Sequence, residues 1–397
     1  MQNTTSKNTM IFLIVLMNIP AALALDQYAP SMPAMVHSLI TSTASIQLSI
    51  SVYMFACGIL ALFWGPLSDR FGRRPIFLIS IPIFLIGSLF CIFATSIGML
   101  LLGRIIQGFG IASCSFLGAA IMSDTFEGKM LNKVSSYFSA AYSLVPILAP
   151  VIGGYIQEWF GWRANFGFLF IFVLGFYLIV AFKLPETHKP TKEHRLKIKN
   201  LLSNYAKALL NKNYLLSIFC LIFTWSIIIA FSIIGPFLLQ NIFKFSASEY
   251  GLLALFVGLG FIIGSLINSK LIKKFPASFL IKTGIIISFF SALVFVLLSV
   301  IGDICAWQIM LSTFIVVLGA GITSPNYIAI AVAEHPDIAG TAIALLSALL
   351  FIGTTLVTVL LTIFHAHSAT TLAGIFIVLT ILCAIVFPFI RTKEYVK

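Results

Sequence analysis

The sequence predicts an all-α membrane protein of 12 transmembrane helices arranged as two six-helix bundles. Three observations carry that reading. The 397 residues are 60% hydrophobic and only 9% charged, with a mean hydropathy of +1.08, whereas a soluble domain has about 25% charged residues. Apolar runs recur along the chain at about the 18–25 residues that span a bilayer as a helix. One longer polar stretch, 184–213, follows the sixth of these runs. Runs rich in Phe, Ile and Leu without strict alternation read as helices rather than barrel strands.

In order, the spans are expected near 10–32, 45–66, 76–95, 99–122, 134–157, 164–183, 214–240, 248–269, 278–300, 305–330, 340–363 and 371–390. They divide the chain into an N-terminal bundle, 1–183, a linker, 184–213, and a C-terminal bundle, 214–397. The linker carries Lys189, Lys192, Arg195, Lys197, Lys199, Lys207 and Lys212 against Glu186 and Glu193. A basic, partly helical segment in contact with anionic membrane lipid is expected there.

The net charge of +12 would suggest nucleic acid as partner in a soluble protein, but its distribution gives another reason. With the amino terminus inside, Lys and Arg fall on the cytoplasmic side with three exceptions. Arg104 lies within a span, and Arg163 and Lys244 fall outside. The positive-inside rule then puts both termini in the cytoplasm, and no nucleic-acid partner is expected. The first span has a weakly charged amino end, exceeds the length of a signal-peptide core and lacks a small-residue cleavage site, so it reads as retained. Cys57, Cys91, Cys114, Cys220, Cys305 and Cys383 sit in or at apolar spans without paired spacing and read as packed thiols. His365 and His367 in the last outer loop read as surface residues rather than a metal site, and no metal or cofactor is expected.

Against this background Asp26 stands out as the acid that falls inside a long apolar run. A charge at that depth costs about 2.5–3.5 kcal/mol on insertion scales, and such groups mark ion and substrate pathways. Pro30 and Pro33 follow closely, so the first span is expected to break there. The alternative is a helix-end residue at the outer mouth that caps a helix. Arg104 is the second intramembrane charge; it needs a partner, a water-filled cavity or a snorkelling route to the near surface. Asn18, Tyr53, Gln107, Tyr142, Trp225, Asn326 and Tyr327 are polar or amphipathic aromatic residues inside spans and are candidates to line a substrate cavity.

The loop after the second span reads Gly65-Pro66-Leu67-Ser68-Asp69-Arg70-Phe71-Gly72-Arg73-Arg74. Its glycines permit close backbone approach and its arginines anchor the inner face. This resembles the major facilitator superfamily, whose loop between helices 2 and 3 reads G-x-L-x-D-R-x-G-R-[RK]. The resemblance implies the major facilitator fold and a conformational latch of Gly65, Asp69, Arg70, Gly72 and Arg73 that stabilises the outward-facing state. Arg104-Ile105-Ile106-Gln107-Gly108-Phe109-Gly110 resembles the R-x-x-Q-G-x-G of helix 4 in proton-coupled members, which implies that Arg104 takes part in proton transfer.

Pro146, Pro150, Gly153 and Gly154 in the fifth span resemble the helix-5 motif of drug/proton antiporters, with Ala149 in the A-P-x-x-G-G form of the Bcr/CflA subfamily. Asp26-Gln27-Tyr28-Ala29-Pro30, Gly235-Pro236-Phe237 and Pro325-Asn326-Tyr327 are similar to that subfamily in helices 1, 7 and 10. The halves also echo each other weakly, Gly65-Pro66-Leu67 against Gly264-Ser265-Leu266.

The function this implies is proton-coupled efflux of small amphipathic compounds such as drugs, with Asp26 and Arg104 coupling protons, by a monomer in the bacterial cytoplasmic membrane. Export of an endogenous metabolite such as a siderophore, uptake by symport, and a non-transporting sensor are the alternatives. An enzyme is not expected, because HExxH, GxSxG and a phosphate-binding glycine loop are missing from the sequence.

Overall fold

The computed structural model describes residues 6–188, 198–302, 304–363 and 368–392, less the side chains at 115, 142, 198–200 and 363. Among them are twelve helices long and apolar enough to cross a membrane and no strand. His365 and His367 lie outside the described residues. The chain divides into two compact units, Met1–Leu201 and Leu202–Lys397.

In the first unit the leading span is broken twice. It runs as α1 (Lys7–Met17), α2 (Ile19–Asp26), a 3-10 turn (Ala29–Ser31) and α3 (Met32–Ser38). The second break is the one expected from the prolines. The first, at Asn18, arises because Pro20 in the first turn of α2 has no N–H to return to the preceding helix. The other spans are α4 (Thr43–Phe71), α5 (Arg73–Ile92), α6 (Ile97–Thr125), α7 (Gly128–Phe160) and α8 (Trp162–Lys183). Ser42 and Ser96 start α4 and α6 by accepting an N–H of the first turn.

Helix α6 is wedged between α4 and α5, and its Gly108-Phe109-Gly110 explains how. Residues two apart on a helix point to nearly opposite sides. A Cβ on Gly108 would lie 2.6 Å from the Tyr53 carbonyl oxygen of α4, and one on Gly110 2.6 Å from the Ser80 carbonyl oxygen of α5. Each glycine therefore admits one neighbouring backbone.

Helix α9 (Ile198–Leu209) crosses the boundary between the units, and the second unit holds α10 (Lys212–Phe237), α11 (Ala247–Leu271), α12 (Ala277–Ile301), α13 (Ala306–Ala333), α14 (Ala339–Ile363) and α15 (Ala369–Val386). Here α13 is wedged between α11 and α12. Gly319 and Gly321 face them as the α6 pair faces its neighbours, Gly319 against Gly284 of α12 and Gly321 against Phe261 of α11. The echo between halves is thus stronger in the fourth and tenth spans than in the loops. Short helix α9 falls within the stretch 184–213 expected to be a basic linker. Lys207 pairs with Asp337, while Asn211 and Asn213 donate to the two oxygens of Glu334 at 3.1 and 2.8 Å, which ties this end of the linker to the second unit.

Candidate functional site

The first unit builds a buried polar cluster around Arg104, which is fully enclosed. It lies eight residues into α6, about 10 Å along the helix from Ile97 at 1.5 Å per residue. Its guanidinium does not snorkel to the surface. Nη1 donates to the Ala24 carbonyl at 3.0 Å and to Gln107 Oε1 at 2.8 Å, and Nε donates to the Ser49 carbonyl at 3.4 Å. The rings of Tyr28 and Tyr53 lie 4.5 and 4.1 Å from the guanidinium carbon. Charge-assisted bonds contribute about 1.5–3 kcal/mol each and desolvated cation–π contacts about 2, so these contacts are large enough to hold a cation at this depth. Nη2 is buried, with no hydrogen-bond partner among the described residues. A cationic nitrogen with open donors therefore faces the interior.

Every group around that guanidinium is itself oriented. Ser49 gives its proton to the Ile46 carbonyl at 2.6 Å, so Tyr28, whose hydroxyl lies 2.7 Å from Ser49 Oγ, is the donor to Ser49. Ser88 donates to the Phe84 carbonyl and accepts from Gln107 Nε2 at 2.8 Å, which turns Gln107 Oε1 toward Arg104. Tyr53 donates to the Ala21 carbonyl at 3.2 Å.

Asp26 is buried and is the last residue of α2. The following helical segments start at Ala29 and Met32, with Tyr28 and Ser31 as their N-cap residues. Arg104 brackets it, touching the Ala24 carbonyl on one side and the Tyr28 ring on the other. The break beside Asp26 is stapled by amides that the sequence reading passed over. Gln27 Nε2 donates to Asn165 Oδ1 at 3.0 Å, and Asn165 Nδ2 donates to Ser31 Oγ at 2.8 Å and to the Gly153 carbonyl at 3.1 Å. The signal for them was the same as for Asp26: isolated amides within apolar runs.

Gly153 gives the helix-5 motif a physical task. A Cβ there would overlap the Gln27 carbonyl oxygen and lie 2.7 Å from its carbon, so α7 packs backbone to backbone on the break of the first span. Gly154 is buried beside it, and Pro146 and Pro150 lie inside α7.

The remaining cavity candidates are dispersed. Asn18 sits at the α1–α2 break and donates to the Phe138 carbonyl of α7 at 3.2 Å. Tyr142 is in α7, with its side chain outside the described residues. In the second unit Trp225 meets Phe261 edge-on at 6.4 Å and Tyr327 is fully buried. Asn326 Nδ2 donates to Asn268 Oδ1 at 2.7 Å, joining α13 to α11. Asn326→Leu is expected to lower stability by about 0.6–1.7 kcal/mol, the range of interhelical hydrogen bonds in membranes, measured by unfolding in mixed micelles.

At the α4–α5 turn Arg73, not Arg70, is the buried arginine. It donates to Ser68 Oγ at 2.6 Å and pairs with Asp69 and with Asp124 of α6, the latter at 2.9 Å. Arg70 is exposed, its guanidinium 5.0 Å from the Phe71 ring. Gly65 packs on the ring of Phe116, where a Cβ would lie 3.0 Å away, and Gly72 adopts φ +96° to end α4.

Twelve apolar helices of spanning length among the described residues, in two units and with a buried arginine facing a broken first span, define a polytopic membrane protein. The family model of the Major Facilitator Superfamily matches residues 12–358, and the chain belongs to that superfamily. Among its relatives, a bicyclomycin resistance protein homolog of Haemophilus influenzae is 28% identical over 87% of each chain. Multidrug resistance protein D of Escherichia coli is 26% identical over 89% of this chain and 88% of its own length. The fold is similar to that of the crystal structure of a D-xylose–proton symporter, with a TM-score of 0.77, 15% identity, and 98% of this chain and 99% of that one covered.

Proposed function

We propose that this protein is a proton-coupled efflux transporter of small amphipathic compounds, working by alternating access in a bacterial cytoplasmic membrane with both termini inside. The observation that carries the reading is the enclosed Arg104, which brackets Asp26 through the Ala24 carbonyl and the Tyr28 ring while keeping open donors on Nη2. The drug-resistance names of its relatives support the substrate class.

In this mechanism Asp26 carries the proton. Ionised, its carboxylate is attracted to the guanidinium, and the first span is held in one arrangement. Protonated, it loses that attraction, and the segment between the breaks at Asn18 and Gln27 is released. Proton binding and substrate binding then exclude each other at one element. Asp69, Arg73 and Asp124 form the latch at the cytoplasmic end, while the six-span halves 1–183 and 214–397 are joined by the linker 184–213.

Asp26→Asn preserves shape and removes the proton. Proton-gradient-driven efflux from proteoliposomes is expected to fall to background, while exchange of labelled substrate across a neutral gradient persists. Wild-type coupling in this variant would sink the assignment.

A further inference from the structure

The second unit contains a small cavity of about 10 Å³ where α10, α12, α13 and α15 meet. Thr224, Ser288, Thr323, Thr380 and Cys383 form its polar wall, and apolar side chains close the rest. Each of the four hydroxyl residues is at most 5% exposed. They stand inside apolar spans, where bulk water does not reach to pair them.

A hydroxyl has one proton and two lone pairs, and here each proton is already placed. Thr224 donates to the Cys220 carbonyl at 2.8 Å, Thr380 to the Phe376 carbonyl at 2.7 Å and Thr323 to the Ala320 carbonyl at 3.2 Å. These are back-bonds within their own helices. Ser288 of α12 donates instead across to the Val316 carbonyl of α13 at 3.1 Å. Gly319 makes that crossing possible, since a Cβ there would overlap Ser288 Oγ. The Cys383 thiol donates to the Cys220 carbonyl at 3.5 Å and lies 3.7 Å from Thr224 Oγ1. The polar wall therefore presents oxygen lone pairs, with one weak thiol as its donor.

That inventory selects the occupant. An apolar guest would leave buried acceptors unpaired. A metal cation would be buried without a counter-charge, because no carboxylate lines the cavity among the described residues. A neutral molecule that brings two protons meets both demands, and the volume admits one water. Donating two bonds and accepting one from the thiol, it makes three, the usual count for buried water. We infer that the second unit holds one resident water in this cavity, hydrogen-bonded to hydroxyls of at least two helices. It joins helices that turn acceptors toward one another and have no strong donor between them.

The test is a density map of the full-length protein in nanodiscs, at a resolution that shows ordered water, together with two variants. One peak is expected in the cavity, within hydrogen-bond distance of hydroxyls from at least two helices. Na⁺ and water scatter alike, so unfolding is also followed in sodium chloride and in choline chloride. Any effect of sodium on the midpoint is expected to be the same in T380V as in wild type.

T380V keeps the shape of the side chain and removes one acceptor from the cavity. T313V is its control. Thr313 is fully buried on α13 and donates to the Ile309 carbonyl at 2.7 Å, as Thr380 does to Phe376, but it does not line the cavity. T380V is expected to lower the folded-to-unfolded ratio about threefold more than T313V, the share of one interhelical hydrogen bond in a membrane. A cavity without density, a sodium effect that T380V abolishes, or a T380V no costlier than T313V overturns the assignment.

Discussion

Gly153→Ala is expected to be a severely damaging single-methyl change. The added Cβ would overlap the Gln27 carbonyl oxygen, and the obstructing atoms are backbone, so no side chain can swing aside. Overpacking of this kind costs about 1–3 kcal/mol, and occasionally more. Here relief requires α7 to move away from the first span, which would stretch the Asn165 bonds to Gly153 and Gln27 as well. Those bonds set the break next to Asp26. The variant is therefore expected to lose both thermal stability in detergent and transport. Gly167→Ala on α8 is the control, because a Cβ there has no neighbour within 4 Å and should leave both unchanged. A Gly153→Ala protein with wild-type melting and wild-type efflux would show that α7 does not need this contact.

Arg104→Lys is expected to retain the charge and lose the function. The guanidinium uses its plane twice, stacking on Tyr28 and Tyr53 and donating in-plane to Ala24, Ser49 and Gln107. An ammonium is a point charge without that fork or that flat face. It is also more strongly hydrated, so an enclosed site suits it less. Losing one charge-assisted bond is about 1.5–3 kcal/mol, which is about a ten- to hundredfold change in an equilibrium. Proton-driven efflux at saturating substrate should fall by that order. Substrate binding, followed by tryptophan fluorescence or calorimetry, should change less if Arg104 acts on the proton step. An equal loss in both would instead place Arg104 in the substrate site.

The two variants separate contributions that sit side by side. Gly153 acts through backbone packing that holds the first span in its broken shape. Arg104 acts through charge at the element so held. Combining Gly153→Ala with Arg104→Lys should therefore show coupling, since both act on residues 24–28.

The sequence by itself determined the solvent and the architecture. Sixty percent hydrophobic residues, in runs of spanning length, leave helices as the arrangement that satisfies every backbone group in lipid. All twelve spans were legible for that reason. The break after Asp26 was legible as well, because prolines punctuate locally. Gly108 and Gly110 could be recognised as a motif, but which helix each one faces depends on neighbours distant in the chain.

The tertiary structure decided which charges matter. Arg70, Arg73 and Arg74 are equivalent in a loop read as a string. Arg73 is buried on Asp69 and Asp124 because α6 ends beside it, whereas Arg70 points to an exposed phenylalanine. Arg104 had three possible resolutions in the sequence. Ala24, Ser49 and the two tyrosines chose among them, and they come from two other spans. Glu186 looked like one acid in a basic linker until the end of α8 put it against the start of α5. Local chemistry specifies what a residue can do and how its own helix runs. Its partner is chosen by packing between segments more than 50 residues apart, for Arg73 and Asp124 as for Arg104 and Ser49.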